Sequence, residues 1–137
     1  MDRLIVIRKL DSLRRCLDRV RERCPASVAT LAGDPDLQDI VVLNLSRAIQ
    51  ICVDLALHAL TGLGQPAPET MGQAFDQLAD TGHISADLAL RLRKAVGFRN
   101  IAVHNYSGID WVIVHAIATR HLDDFEAFAR HLDPPRA

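Results

Sequence analysis

Apolar residues recur at steps of three and four along most of this sequence, and clusters of Gly and Pro interrupt the pattern at only a few places. Such steps place side chains on one face of an α-helix. The first segment shows this in a stripe formed by Val6, Leu10, Leu13, Leu17, Val20 and Cys24. The succession of helices and breaks therefore constrains the fold more than any other feature.

The composition agrees with this helical pattern. Leu and Ala each occur 18 times, whereas aromatic residues make up only 4% of the chain, and this balance favours helices over strands. At 137 residues, the chain is long enough for one hydrophobic core. We predict an all-α fold, a single domain over residues 1–137 built as an antiparallel bundle of about five helices.

Gly and Pro residues place the boundaries of these helices. Pro25 ends the first one, and residues 25–35 are predicted as a loop that leads to an N-cap at Asp34 or Asp36. The later helices are bounded by capping residues and by Gly and Pro. They are predicted over residues 37–61, 70–81, 86–104 and 111–132, with a frayed tail at residues 134–135.

Gly97 lies in the interior of the fourth predicted helix, where glycine costs about 1 kcal/mol relative to alanine. We therefore expect a neighbouring helix to pass close to it. Val103, later in the same helix, is predicted to face the core together with Leu88 and Leu92.

The cysteines do not point to a disulfide or a zinc site. Cys16 and Cys24 lie on one predicted helix, about 12 Å apart along its axis, which is too far for a bridge. No Cys/His spacing typical of zinc occurs in the sequence. We predict that these two thiols and Cys52 are small buried side chains, and that the protein has no metal site.

Apolar runs without a polar residue or Gly reach about four residues, as at residues 4–7, whereas a membrane span needs about 20. The run at residues 4–7 is also too short for the core of a signal peptide, and Arg8 and Lys9 follow it. We expect a cytoplasmic protein with no membrane segment.

Charge is distributed unevenly, although the net charge is only -1. Residues 1–24 carry +4, residues 25–90 carry -7 and residues 91–137 carry +2. Two basic segments around an acidic one are compatible with a surface for a polyanion, and equally with ion pairs inside the fold or between subunits. Charge alone favours the ion pairs.

A polar line crosses the otherwise apolar second predicted helix at Arg47, Gln50, Asp54 and His58. Asp54 and His58 are one turn apart on the same face. A solvent-exposed strip or an Asp–His hydrogen bond explains the line more simply than a role in chemistry does.

One stretch, residues 98–106, concentrates polar and reactive side chains at the end of the fourth helix: Arg99, Asn100, His104 and Tyr106. A guanidinium can hold a phosphate through two hydrogen bonds, and an imidazole exchanges protons near neutral pH. RNA supplies its own nucleophile, the 2′-hydroxyl, so its cleavage needs a proton acceptor, a proton donor and a cation. These residue types suit phosphodiester chemistry, which does not require a metal.

The spacing leaves two arrangements open. On an unbroken helix, Arg99 and His104 lie about 140° apart, whereas Arg99 and Tyr106 lie within about 20°. Either the helix unwinds near His104, or Arg99 and His104 from two copies line one cleft across a two-fold axis. We favour the two-fold arrangement.

The sequence resembles the HEPN superfamily here, and within it the HepT-like ribonuclease toxins of prokaryotic toxin–antitoxin pairs. The signature is an Arg, a polar residue, three further residues, a His, any residue and a Tyr, and Arg99, Asn100, His104 and Tyr106 match it. The resemblance covers nearly the whole chain. The polar line also looks like the pattern of that family's second helix.

This resemblance implies the toxin of a type VII-like toxin–antitoxin pair, a homodimeric and metal-independent endoribonuclease. Arg99 and His104 would be its catalytic pair at the dimer interface, with Asn100 in support. The implied partner is a minimal nucleotidyltransferase antitoxin that uses ATP as co-substrate to transfer AMP onto Tyr106. No cofactor of the toxin itself is implied.

Given this resemblance, the basic segments gain a candidate role in contacting RNA phosphates. The Arg-rich first helix and Arg91, Arg93 and Lys94 are candidates to line the approach to the cleft. An alternative function is a non-catalytic HEPN module that binds a nucleotidyltransferase or a nucleotide. A purely structural alternative is that Arg99 caps helix carbonyls while His104 and Tyr106 stabilise a turn.

Overall fold

The computed structural model describes residues 3–132, and this range is helical with no strand. The α-helices are α1 (Arg3–Arg23), α2 (Val28–Ala32), α3 (Pro35–Gly62), α4 (Met71–Asp80), α5 (Ala86–His104), α6 (Trp111–Arg120) and α7 (Leu122–Leu132), with a 3-10 turn at Tyr106–Gly108. The all-α prediction is confirmed, with seven α-helices in this range where about five were expected. The predicted tail at residues 134–135 lies outside the described residues.

Helix α3 forms the centre of the bundle and contacts each of the other six α-helices of the described range. It is antiparallel to α1, and the Lys9 ammonium lies 3.3 Å from the Asp54 carboxylate across the two helices. Asn44 is buried on α3, where its amide donates to the Ile40 carbonyl at 2.8 Å. This hydrogen bond offsets the cost of burying the amide.

By length and composition alone, α3 is long and apolar enough to cross a membrane. Half of its most apolar stretch is buried inside the bundle. A helix that is surrounded by others in a helical bundle has this composition, because most of its circumference faces side chains instead of water.

The segment between α1 and α3 is not a plain loop, so that prediction is wrong. Ser27 caps a short helix, its hydroxyl accepting the Thr30 N–H at 3.1 Å, and Leu31 is fully buried. Of the two predicted caps of the next helix, Asp34 is the one used, since its carboxylate accepts the Leu37 N–H at 3.2 Å.

The predicted helix over residues 111–132 is also wrong as one element, because it breaks at His121. Neither Gly nor Pro marks this break. The Thr119 hydroxyl donates to the His115 carbonyl at 2.7 Å, a contact that bends helices. Asp123 and Asp124 then lie in the first turn of α7, where the helix dipole favours acidic side chains.

The predicted helix starts at residues 86 and 111 are confirmed. Ser85 and Asp110 accept backbone N–H groups at the starts of α5 and α6, and Gly82 adopts a left-handed conformation with φ of 80° just after α4. Cys16 and Cys52 are free and buried as predicted, whereas Cys24 is free but only half-buried, because it lies just beyond the end of α1. Burial raises the pKa of all three thiols.

Candidate active site

The candidate site lies where α5 ends. His104 is the last residue of α5, and Asn105 leaves the helical region with φ of -151° and ψ of 69°. Gly108 packs so closely against Asn105 that a Cβ at this position would lie 2.6 Å from the Asn105 side-chain nitrogen. Only glycine fits there without a shift of Asn105, so the sequence after His104 forms a tight 3-10 turn.

This turn places Tyr106 against the second turn of α3. The Tyr106 hydroxyl donates to the Asp39 carboxylate at 2.7 Å, and its ring meets the Trp111 ring edge-on with centroids 6.1 Å apart. Burial, together with the hydrogen bond to Asp39 and its negative charge, raises the pKa of Tyr106 to about 12. The phenol is therefore protonated at neutral pH, and its side chain is still 42% exposed.

Asp39 is a site residue that the sequence analysis missed. It is 67 positions away from Tyr106 and belongs to no local motif. The one available signal was its place on α3 a few residues after the cap, among the acidic residues of the middle segment.

Arg99 and His104 do not meet within one chain. Both belong to α5, which remains helical through His104, so they lie about 140° apart around its axis. The chain leaves the helix only after His104, so the alternative of unwinding near His104 does not bring the pair together. Arg99 is half-buried and donates to the Asn100 side-chain oxygen at 3.4 Å, while His104 is exposed.

Two of the other basic residues of α5 form ion pairs within the chain. Arg91 pairs with Asp124 of α7 at 2.9 Å, and Arg93 pairs with Asp76 of α4 at 3.0 Å. These ion pairs hold two guanidiniums against carboxylates of the same chain. Their predicted contact with RNA, and that of the exposed Lys94, remains untested.

The exposed side of α5 carries an apolar stripe. Leu90, Gly97 and Ile101 follow one another at helical spacing, and Leu90 and Ile101 are 50% and 46% exposed. Ile113 of α6 is 52% exposed and lines a 380 Å³ cavity together with Lys94 of α5. Both helices therefore expose large apolar side chains.

Gly97 and Val103 correct two predictions about the inside of the chain. A Cβ at Gly97 would meet nothing within 4 Å, so no helix of the described chain passes close to it. Val103 is 54% exposed instead of facing the core. Both residues lie on the surface of α5, which leaves room for another molecule beside it.

The polar line on α3 is explained by contacts other than the Asp–His hydrogen bond considered from the sequence. The Asp54 carboxylate accepts from the Gln50 amide at 3.0 Å and pairs with Lys9. Arg47 is exposed, and His58 is half-buried. Among residues 3–132 there is no group of three or more His, Cys, Asp or Glu side chains that could hold a metal ion.

Comparison with known proteins gives consistent results. The family described as ribonuclease HepT-like matches residues 13–132. The mRNA nuclease HepT of Shewanella oneidensis is 36% identical over 124 residues, which cover 90% of this chain and 92% of that protein.

Solved structures agree as well. A crystal structure of a toxin–antitoxin with AMP-PNP superposes with a TM-score of 0.88 at 33% identity, covering 96% of this chain and 99% of that one. A tri-AMPylated Shewanella oneidensis HEPN toxin in complex with an MNT antitoxin gives a TM-score of 0.87 at 34% identity, covering 96% and 97%. YutE of Bacillus subtilis, a cytosolic protein of unknown function, shares the fold with a TM-score of 0.81 at 15% identity, covering 98% and 96%.

Proposed function

The chain belongs to the ribonuclease HepT-like family, and from this premise we propose that it is an endoribonuclease, the toxin of a toxin–antitoxin pair. The observation that carries the proposal is the complete set of Arg99, Asn100, His104 and Tyr106 at the exposed end of α5. RNA is the substrate, and a nucleotidyltransferase antitoxin is the partner. We place the protein in the cytoplasm, where RNA and ATP are both present.

Cleavage uses the 2′-hydroxyl of the RNA as nucleophile. A His104 imidazole accepts the 2′-hydroxyl proton while that oxygen bonds to the adjacent phosphorus, and the bond from phosphorus to the 5′-oxygen breaks. The 5′-oxygen leaves with a proton from a general acid. The Arg99 guanidinium stabilises the negative charge that develops on the phosphate oxygens, and the Asn100 side-chain oxygen holds that guanidinium.

Two copies complete the site. Since Arg99 and His104 project from different sides of α5, a two-fold axis beside α5 brings His104 of one protomer towards Arg99 of the other. Ile101, 46% exposed near this end of α5, is the apolar side chain that the contact is proposed to bury. A dimer also supplies two imidazoles, one to accept a proton and one to donate.

Tyr106 is the proposed site of AMP transfer. Its oxygen attacks the α-phosphorus of an ATP held by the partner, a new phosphorus–oxygen bond forms, and pyrophosphate leaves. Asp39 lies 2.7 Å from this oxygen and is placed to accept the phenolic proton. The added phosphate places negative charge beside the cleft and repels RNA.

The decisive experiment incubates the purified protein with total RNA in EDTA, beside Arg99→Ala and His104→Ala. Wild-type protein should cleave and both variants should not, because each lacks one member of the proposed pair. Equal cleavage by all three would contradict the assignment, and loss of wild-type cleavage in EDTA would contradict metal independence. No cleavage by wild type under either condition would favour the non-catalytic binding module.

The interface is tested by light scattering with Ile101→Asp. At a two-fold contact, the introduced carboxylate would be buried close to the same carboxylate of the second protomer, with no cation to pair with. The variant should therefore be monomeric where wild type is a dimer. A wild-type monomer at micromolar concentration would remove the argument for a shared cleft.

A further inference from the structure

A second polar surface lies between the two longest helices, α1 and α3. A groove of about 640 Å³ runs between α1 and α3, and arginines from both helices line it: Arg15, Arg19 and Arg47. Ser12, Asn44 and Gln50 supply further polar groups, and no Asp or Glu is among the described residues that line it. The groove is therefore cationic, with amide and hydroxyl groups beside the charges.

The guanidiniums of this groove are less neutralised than those of Arg91 and Arg93 on α5. Arg15 donates to the Ser12 hydroxyl at 3.1 Å, which is an uncharged partner. Arg19 pairs with Glu22 at 3.3 Å, but both side chains are at least half exposed, and an exposed pair of this kind contributes little. Arg47 is exposed, and its positive charge and that of Arg15 both act on the buried Cys16 thiol, which places both guanidiniums near this thiol.

One end of the groove lies near the turn that carries Tyr106. Ile40 and Asn44 lie at one of its ends, and Ile40 follows Asp39, the residue bonded to Tyr106. With a rise of 1.5 Å per residue, Arg47 lies about 12 Å from Asp39 along the axis of α3. Because α1 is antiparallel to α3, Arg19 lies nearer the Tyr106 end of the groove than Arg15 does.

We infer that this groove binds the phosphodiester backbone of the RNA substrate, several nucleotides away from the scissile phosphate. The inference rests on the proposed ribonuclease function. Guanidiniums bind phosphate oxygens in bidentate fashion, and an uninterrupted cationic groove tracks a single strand. Leu43, 49% exposed in the same groove, offers an apolar surface to a base.

This role also accounts for Arg47, Gln50 and Asp54 of the polar line on α3. Arg47 and Gln50 line the groove, and Asp54 holds the Gln50 amide from outside it while pairing with Lys9. An RNA strand is favoured over an acidic protein segment because one end of the groove lies beside Asp39, which is bonded to Tyr106 of the motif proposed to cut RNA.

The test compares two double variants in a His104→Ala background, so that RNA is bound without being cut. Arg15→Gln/Arg47→Gln removes two charges from the groove, whereas Arg120→Gln/Arg130→Gln removes two from α6 and α7, outside the groove. All four arginines are exposed, so both variants should fold, which thermal melting checks. Binding of a fluorescent single-stranded RNA is measured by anisotropy over a range of salt concentrations.

The groove variant should bind RNA at least about tenfold more weakly than the background protein. For this variant, the slope of log affinity against log salt concentration should be shallower by about 1.4. Two phosphate contacts are lost, and each contact to a single strand contributes about 0.7 to the slope. The control should stay within about twofold of the background, because it carries the same net charge change at a different place.

Equal weakening of the two variants would overturn the proposal, because only the overall charge would then matter. Unchanged binding in the groove variant would also overturn it, and loss of binding to the purified antitoxin in that variant would identify the groove as a protein-docking surface. The parent protein with His104 intact is assayed for cleavage in parallel. If it does not cut RNA, the proposed function fails, whereas normal cleavage with unaffected groove binding overturns the groove alone.

Discussion

The two ends of α5 differ in what surrounds them. Leu88, Leu92 and Phe98 are buried against neighbouring helices, and α4 packs along this part. After Phe98 the helix emerges, with Ile101 and His104 exposed. One continuous helix thus has a first part that holds the fold together and a last turn that projects reactive groups. Stability and chemistry are separated along its axis, and they should respond to different substitutions.

The largest expected effect is on chemistry, at the exposed end. His104→Ala should lower the rate of RNA cleavage by about 10²–10⁴, the usual contribution of a general acid or base, while the melting temperature stays within error of wild type. Cleavage assays and calorimetry on the same preparation check both. A clear drop in melting temperature would show that His104 supports the fold and would blur the separation.

At the buried end, Leu92→Ala should show the reverse. Leu92 is 1% exposed, and removing a buried Leu side chain costs about 2–5 kcal/mol of unfolding free energy through lost burial and the cavity left behind. Urea unfolding measures this. Under conditions where the variant is still folded, its cleavage rate should equal that of wild type, and a proportionate loss of activity would count against two independent ends.

Arg99 lies at the junction of the two ends and offers a finer test. Arg99→Lys keeps the positive charge but loses the planar pair of donors that suits a phosphate. We expect cleavage to fall by about tenfold, an intermediate loss equal to one lost hydrogen bond to a charged group, with little change in stability. Cleavage kinetics compared with Arg99→Ala would decide, and a lysine variant as inactive as the alanine variant would show that charge alone is insufficient.

The smallest effect concerns the turn beyond α5. Tyr106 is the only tyrosine in the chain, so phenolate absorbance reports its pKa directly. Asp39→Asn should lower that pKa from about 12 towards the ordinary value of 10.0, because the carboxylate charge no longer opposes ionisation. An unchanged pKa would show that burial alone sets it.

The raised pKa of Tyr106 predicts how the stability of the fold changes at alkaline pH. The folded protein holds the phenolic proton more tightly than the unfolded chain does, so this group stabilises the fold fully below pH 10 and loses its contribution as the pH rises to about 12. That alkaline loss should be smaller in Asp39→Asn, as unfolding at a series of alkaline pH values would show.

Local signals made much of the fold predictable from sequence. Pro25, Ser85 and Asp110 act on their immediate neighbours, so the end of α1 and the starts of α5 and α6 follow from residues adjacent in the chain. The break at His121 does not, because it has no Gly or Pro and depends on a hydroxyl contact and two acidic residues beyond it.

The candidate site divides in the same way. The motif of Arg99, Asn100, His104 and Tyr106 spans only eight positions, so it can be recognised from the sequence. Asp39 and the groove could not, since they depend on which face of α3 meets the turn and on how α1 lies beside it. The prediction that a neighbouring helix passes close to Gly97 was wrong, because a sequence does not say whether the space beside a glycine is filled by its own chain.

The hydrogen bond between Tyr106 and Asp39 holds the 3-10 turn against the central helix α3. An oxygen esterified to a phosphate has no proton left to give, and it brings an anion to within reach of the Asp39 carboxylate. AMP transfer would therefore do more than obstruct the cleft, because it would turn an attraction into a repulsion at the point where the turn is anchored. The new phosphorus–oxygen bond would both inactivate the toxin and weaken the attachment of the turn to α3.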